Sequence, residues 1–489
     1  MKHFILIGLF VFALGRVAPA ADVPAKARPN FLFIYTDDQR YDAMGVVQRE
    51  QGEQARFPWF KTPNLDRLAA EGVRFRNAFV TISLCSPSRA VFLTGRYSHF
   101  NGVANNHTPF PTNSVTYATL LRAAGYKTAY IGKWHMGRQS GQRPGFDYSA
   151  SFIGHGRYQD CPFEINGVSE PTKGWVDDVS ADFAIRFMRT NRNNPFVMVV
   201  GFKSPHGPRQ PPARLKTAFA GEVCREPANA TSFAPYLPDD RKVVADTVKH
   251  PGTEPLLNYF RCIAGADQNV GRLLDALDEL GIATNTMVVY TSDNGYYLGE
   301  HGLADKRSAY DESMRIPLLL RYPPLGRKGV VVDETVLNID LAETFLDYAG
   351  VQPPKEMQGR SWRPLLESKA STPPQDWRHS FFYEYFYERN FTVPDIFAVR
   401  EDSSKLVQYP RHSAWTEVYD LSADPYETNN LATDAAHGAL RRKLDSEFEH
   451  DSKEAGFRIP DYADKQPNDW QTKEWRKRKR GKAAAKAAH

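Results

Sequence analysis

The sequence predicts an α/β fold, a mostly parallel sheet sandwiched by helices, followed by a smaller C-terminal antiparallel α+β unit. Three observations carry that expectation. Apolar runs at residues 31–35, 128–131, 196–202 and 287–291 have the length and composition of buried strands. Helical periodicity at 64–70, 117–124, 179–191 and 268–280 falls between them, and such alternation calls for parallel pairing with crossover helices. The chain of 489 residues also exceeds what one hydrophobic core organises, so a second unit is expected.

Taken in order, the chain opens on MKHFILIGLFVFALGRVAPA, with a basic start, an apolar run over 4–15 and Ala18-Pro19-Ala20 as a small-residue cleavage site. This predicts a secretory signal over 1–20 and an exported product, periplasmic or extracellular. The run is about 12 residues against the roughly 20 needed to span a bilayer, so stable membrane insertion is not expected. The large domain is expected over 28–375. Within it, proline-rich 205–256 reads as an irregular insertion, and 353–374 around Trp362 as the domain junction. Runs at 381–387, 396–400, 405–409 and 417–421 predict the strands of the small unit over 376–460, closed by a helix near 434–449. Residues 461–489 are expected to form a basic, disordered tail.

Formal charge is +5, but residues 473–489 carry eight bases against one acid, so the basicity belongs to the tail and no nucleic-acid partner is expected. Hydrophobic residues at 42% and aromatics at 12% exclude a disordered bulk. Four cysteines are too few to scaffold an exported protein of this size. With Cys85 chemically engaged, Cys161, Cys224 and Cys262 allow at most one bridge.

Ligands of parallel sheets bind beyond the carboxyl ends of the strands. The first run ends in Thr36-Asp37-Asp38-Gln39 and a later one in Ser292-Asp293-Asn294-Gly295, two oxygen-donor pairs whose convergence would suit a hard cation. Cys85 stands at the predicted start of a helix with Pro87 in its first turn. A thiolate nucleophile is one reading of that placement. Cysteine phosphatases, however, carry an arginine six positions after the cysteine, where this chain has Val91. Lys133 and His135, two apart in GKWH, are expected to project from one face of an extended segment.

The run CSPSRAVFLTGR over 85–96 resembles the signature of the type I sulfatases, in which the cysteine of C-x-P-S-R matures to formylglycine (3-oxoalanine). NFLFIYTDDQ, GKWHMG at 132–137, SPHGP at 204–208, SDNGYYLGEHG at 292–302, DKR at 305–307 and VYDLSADPYETNNLA stand in that family's order, a span of about 29–433. The resemblance implies an alkaline-phosphatase-like fold. It also implies one Ca²⁺, with Mg²⁺ the lesser choice, on Asp37, Asp38, Asp293, Asn294 and the modified residue 85, and a formylglycine-generating enzyme as maturation partner. Arg89 would hold the aldehyde hydrate, Lys133 a sulfate oxygen and His135 the hydrate's proton. His206 and Lys306 would contact sulfate and protonate the leaving alkoxide.

A geminal diol suits this chemistry better than a thiol. A thiolate would leave a sulfur-linked adduct needing a second attack at a crowded anionic centre, whereas a diol can release sulfate by breaking its own carbon–oxygen bond. His301, Asn105 and Asn106 are candidates for reading the alcohol portion. VANN after the signature, GHGRYQDCPFEINGV at 154–168 and the FFYEYFYE segment are similar to the glucosamine-6-sulfatase branch, so a sulfated glycan is the expected substrate. Choline and aryl sulfates are alternatives. A phosphonate or phosphodiester hydrolase is the rival enzyme, and an inactive glycan-binding relative the rival from another class.

Overall fold

The structure, a computed structural model, describes residues 28–368 and 374–468; the expected signal over 1–20 and residues 469–489 of the tail expected over 461–489 lie outside the described residues. Ten strands form the main sheet, in the order Val330–Val332, Val73–Phe75, Leu318–Arg321, Thr286–Ser292, Asn30–Thr36, Phe196–Gly201, Lys127–Lys133, Tyr148–Phe152, Phe163–Ile165 and Val168–Glu170. The central five run parallel, while Leu318–Arg321 and the last two strands pair antiparallel.

Alternation along the central strand Asn30–Thr36 feeds two cores, since successive side chains point to opposite faces. Phe31, Phe33 and Tyr35 pack with Phe92, Tyr117 and Phe345 from the helices Cys85–Thr94, Tyr117–Ala123 and Leu341–Tyr348. Leu32 and Ile34 pack with Leu65, Met188 and Leu273 from Pro63–Glu71, Val176–Asn191 and Glu254–Glu279. The sheet is thus sandwiched as the sequence predicted.

Four antiparallel strands, Ser380–Tyr385, Ile396–Glu401, Ser404–Gln408 and Glu417–Asp420, form the smaller sheet, with helix Gly438–Glu454 after them. Phe381, Phe382 and Tyr383 of this sheet share a core with Phe79, Ile82, Leu84 and Val91. The small unit therefore buttresses the segment that presents Cys85.

One expectation needs correction. The helix expected at 268–280 begins at Glu254, where Pro255 occupies the first turn and its missing N–H costs nothing, so the irregular insertion ends there. All four cysteines are free and buried, with no bridge among the described residues. No helix among the described residues is long and apolar enough to cross a membrane.

Candidate active site

The parallel register pairs Thr36 with Ser292, which sets Asp37 and Asp38 beside Asp293 and Asn294 at one sheet edge. The Asp293 amide donates to Thr36 O at 3.0 Å, and the Asp38 amide to Asp293 Oδ1 at 3.2 Å. Strand alternation would send Asp37 and Asp38 to opposite faces. Asp38 escapes it with a left-handed φ of 71°, which the short polar aspartate tolerates. Oxygens of Asp37, Asp38 and Asp293 consequently lie within 4.8 Å of one another, all buried. Gly295 lets the turn close against the chain, since a Cβ there would sit 2.1 Å from Glu312 O.

Asn294 completes the donor set. Its Nδ2 donates to Asp38 Oδ1 and Gly295 O, both at 2.8 Å, and its Oδ1 is buried with no hydrogen-bond partner. Three carboxylates and an orphaned amide oxygen are hard donors fitting Ca²⁺ or Mg²⁺. Their electrostatics also favour a cation. Burial, then the neighbouring charge of Asp37, pushes the Asp293 carboxyl up to about 7. Burial acts in the same direction on Asp37, but Lys133, followed by His206 and Arg89, outweighs it and holds that carboxyl well below the usual range.

Cys85 opens the helix Cys85–Thr94, and its Sγ lies 3.5 Å from Asp37 Oδ1. Burial, reinforced by Asp37, pushes the thiol well above its ordinary value. The positive helix end does not overcome this, so the thiolate reading loses its support. One turn on, Arg89 Nε donates to Asp293 Oδ2 at 2.9 Å, Nη2 to Asp37 Oδ2 at 2.9 Å and to Asp293 Oδ2 at 2.8 Å, and Nη1 to Lys133 O at 2.7 Å. Its fork is spent on the carboxylates and the Lys133 carbonyl, which replaces the expected grip on residue 85.

The remaining cations close around the same carboxylates. Lys133 Nζ pairs with Asp37, and Lys306 Nζ donates to Asp38 at 2.8 and 3.0 Å. Lys133 ends its strand, but His135 has a φ of 48°, so the two do not alternate along an extended segment as expected. His135 is buried, its Nδ1 has no partner, and burial followed by Lys133 holds its pKa well below the ordinary value. His206 Nδ1 donates to Gly207 O at 2.7 Å, which leaves Nε2 facing Asp38 Oδ2 at 3.9 Å. The arrangement can hold a divalent cation and surround an anion beside residue 85 with fixed positive charge.

Comparison with known proteins decides the family. The model of the family described as sulfatase matches residues 29–351, and that of the N-sulphoglucosamine sulphohydrolase C-terminal region matches 299–454. The chain belongs to the sulfatase family. It is a sulfuric ester hydrolase, and it is 32% identical to an N-acetylglucosamine-6-O-sulfatase of Bacteroides thetaiotaomicron over 89% of this chain and 88% of that protein. A solved structure described as a complex with its substrate D-glucosamine-2-N,6-O-disulfate has a TM-score of 0.78 and 32% identity, covering 89% of this chain and 99% of that one. The phosphonate monoester hydrolase of Agrobacterium radiobacter, at TM-score 0.70 and 24% identity over 88% and 96% of the two chains, shares the fold.

Three residues expected to read the alcohol in this sulfatase are placed otherwise. His301 is buried, with Nδ1 donating to Ser232 O, Nε2 accepting from Asn229 and its ring stacked on Tyr310 at 3.6 Å, so it packs instead of facing substrate. Asn105 Oδ1 accepts from the His107 amide and Thr108 hydroxyl, shaping its own turn. Asn106 Oδ1 accepts from the Ser86 amide at 3.0 Å and steadies the start of the Cys85 helix.

Sequence reasoning missed four other residues. His155 stacks on His206 and packs at a tilt against His135, and Lys203 donates from its ammonium to His155 O at 2.9 Å. Arg209 lies over the rings of Tyr259 and Tyr296. Glu388 accepts from Arg307, next to Lys306, and from the Asn106 amide at 3.1 Å. Lys203 was the most accessible of these, since it directly precedes SPHGP at the end of a strand.

Proposed function

We propose that the chain hydrolyses the sulfate ester of a sulfated carbohydrate of the 6-sulfated glucosamine class, after export, with residue 85 matured to formylglycine by a formylglycine-generating enzyme. One Ca²⁺ would be held by Asp37, Asp38, Asp293 and Asn294. The convergence of these four side chains within reach of Cys85 carries the reading. The glucosamine relatives supply the substrate class.

When present, the cation supplies Lewis acidity and the oxidised side chain a hydroxyl nucleophile in place of an unreactive thiol. The chain's own residues do the rest. Arg89 holds Asp37 and Asp293 together with a charge that deprotonation cannot remove. Lys133 and Lys306 neutralise Asp37 and Asp38; where a cation takes over that task, the two ammonium groups become donors for sulfate oxygens. His135, held neutral, accepts the nucleophile's proton at Nδ1. Lys306, held protonated, would return a proton to the leaving oxygen, while the neutral His206, whose proton sits on Nδ1 toward Gly207 O, would offer its Nε2 only as an acceptor beside it. Preorganised charge in a buried site strengthens in a transition state that accumulates negative charge.

The test is turnover of glucosamine 6-sulfate beside 4-nitrophenyl sulfate and choline sulfate, with Cys85→Ala as control. The peptide holding residue 85 should be about 18 Da lighter than the cysteine form, as replacement of the thiol-bearing carbon by an aldehyde requires. Active enzyme with unmodified cysteine would refute the nucleophile. Turnover of a phosphonate ester alone would move the chain to the rival chemistry.

A further inference from the structure

The loop after Tyr148–Phe152 carries a histidine that the mechanism does not use. That strand pairs with Lys127–Lys133 in a register setting Phe152 opposite Lys133, so the loop begins beside the site. Gly154 and Gly156 flank His155 with φ of 59° and 57°, a left-handed conformation natural to glycine. At Gly156 a Cβ would also meet the Phe152 ring at 2.5 Å. The His155 carbonyl is pinned by the buried Lys203 ammonium at 2.9 Å, and Lys203 is itself set by its backbone amide, which donates to Asp177 Oδ1 at 2.8 Å. The loop is therefore held in one shape.

That shape lays the His155 ring 3.9 Å from the His135 ring and 4.4 Å from the His206 ring, centroid to centroid. His135 is buried and His206 half-buried, but His155 is exposed, so its ring, tilted 42° against His135 and stacked on His206, is the outermost of the three imidazoles. Neither ring nitrogen of His155 is hydrogen-bonded by another of the described residues. Burial of its inner face, then Lys133 and His206, depresses its pKa, so the ring is neutral. A neutral imidazole offers one donor and one acceptor and no charge, which matches a hydroxyl and gives a second sulfate no ion pair.

We propose that His155 is a specificity-determining residue whose imidazole hydrogen-bonds a hydroxyl of the sugar that carries the sulfate. This rests on the carbohydrate reading above. Three variants separate the hydrogen bond from the stacking: His155→Phe keeps an aromatic ring over His206 without polar atoms, His155→Gln keeps a donor and an acceptor without the ring, and His155→Ala removes both.

The measurement is kcat and KM on glucosamine 6-sulfate and on 4-nitrophenyl sulfate, whose alcohol has no neighbouring hydroxyl. His155→Phe should raise KM for the sugar about tenfold with little change in kcat, the scale of one rim hydrogen bond. The preference for sugar over aryl ester should fall by the same factor, and His155→Gln should restore most of it. Equal losses on both substrates, or a His155→Phe enzyme that keeps the wild-type preference, would overturn the proposal while the carbohydrate reading stands. Wild-type enzyme that cleaves the aryl ester but no sulfated sugar would remove both.

Discussion

Lys306 Nζ donates to Asp38 at 3.0 and 2.8 Å, so an ammonium suited to grip a sulfate rests on a carboxylate suited to grip a metal. The two roles compete for the same oxygens. Burial opposes the lysine's charge, but Asp38, then Cys85 and Asp37, more than offset it and hold Lys306 well above its ordinary value. Its proton is thus secure until an anion draws the side chain away.

Lys306→Ala should separate the two functions. Removing the competing ammonium should leave Ca²⁺ affinity, read by calorimetry, equal to or tighter than wild type. Turnover should fall by about 10²–10³, the scale of losing one preorganised donor. If Lys306 helps protonate the leaving oxygen, the loss will be larger for glucosamine 6-sulfate than for 4-nitrophenyl sulfate, whose phenolate leaves unaided. Weaker calcium binding in the variant would show that the lysine supports the carboxylates.

Metal binding should depend on pH through Asp293. Its carboxyl, at 3.8 when unperturbed, stands at about 7 in the folded metal-free chain, so folding favours the protonated form. The stability this confers is full below about pH 4 and is lost as pH rises through about 7. A divalent cation must displace that proton, so the rise in Tm on adding Ca²⁺ should grow between about pH 5 and 7.5. Asp37, held low, titrates beneath this window. Asp177, Asp267 and Glu427 also titrate within it, so the comparison is between metal-loaded and metal-stripped protein at each pH. A calcium-induced shift independent of pH would contradict the assignment.

His301→Phe should behave as a packing mutation. The new ring can keep the stack on Tyr310 but offers nothing to Ser232 O or Asn229, and unpaired buried polar groups cost about 2 kcal/mol. Chemical denaturation should register that loss while KM for the sulfate ester stays within about twofold. A KM rise without loss of stability would return His301 to the substrate pocket.

Much of this was legible in the sequence because strand ends are fixed points. Once 31–35 and 287–291 read as parallel strands, Asp37, Asp38, Asp293 and Asn294 had to emerge at one edge, and the register of Thr36 with Ser292 bears this out. What remained hidden depends on backbone departures from regular geometry. The left-handed His135 breaks the alternation that would have aligned it with Lys133, and the left-handed glycines around His155 turn a surface loop over the site. The short strands Val73–Phe75 and Phe163–Ile165, each one in from an edge of the sheet, escaped notice because three residues carry too little periodicity to register. His301 misled for a different reason. Its nearness in sequence to the metal strand says nothing of which way the ring turns after Gly299.

Glu388 offers a test of how the smaller unit supports the site. Its carboxylate is fully buried just beyond the strand Ser380–Tyr385, with Oε2 accepting from Arg307 Nε at 2.9 Å and Nη2 at 2.6 Å, and Oε1 accepting from the Asn106 amide. It therefore ties the Lys306 segment to the loop that steadies the Cys85 helix. Glu388→Ala would leave Arg307 with only Asp305, on a buried guanidinium, and breaking such a pair costs about 3 kcal/mol. Glu388→Gln keeps the shape and one acceptor, so its loss should be about half as large. Denaturation midpoints should rank wild type above Glu388→Gln above Glu388→Ala, and kcat should fall in the same order as Lys306 and the Cys85 helix lose their common tether. Equal stability in all three proteins would mean that the smaller sheet packs beside the site without holding it.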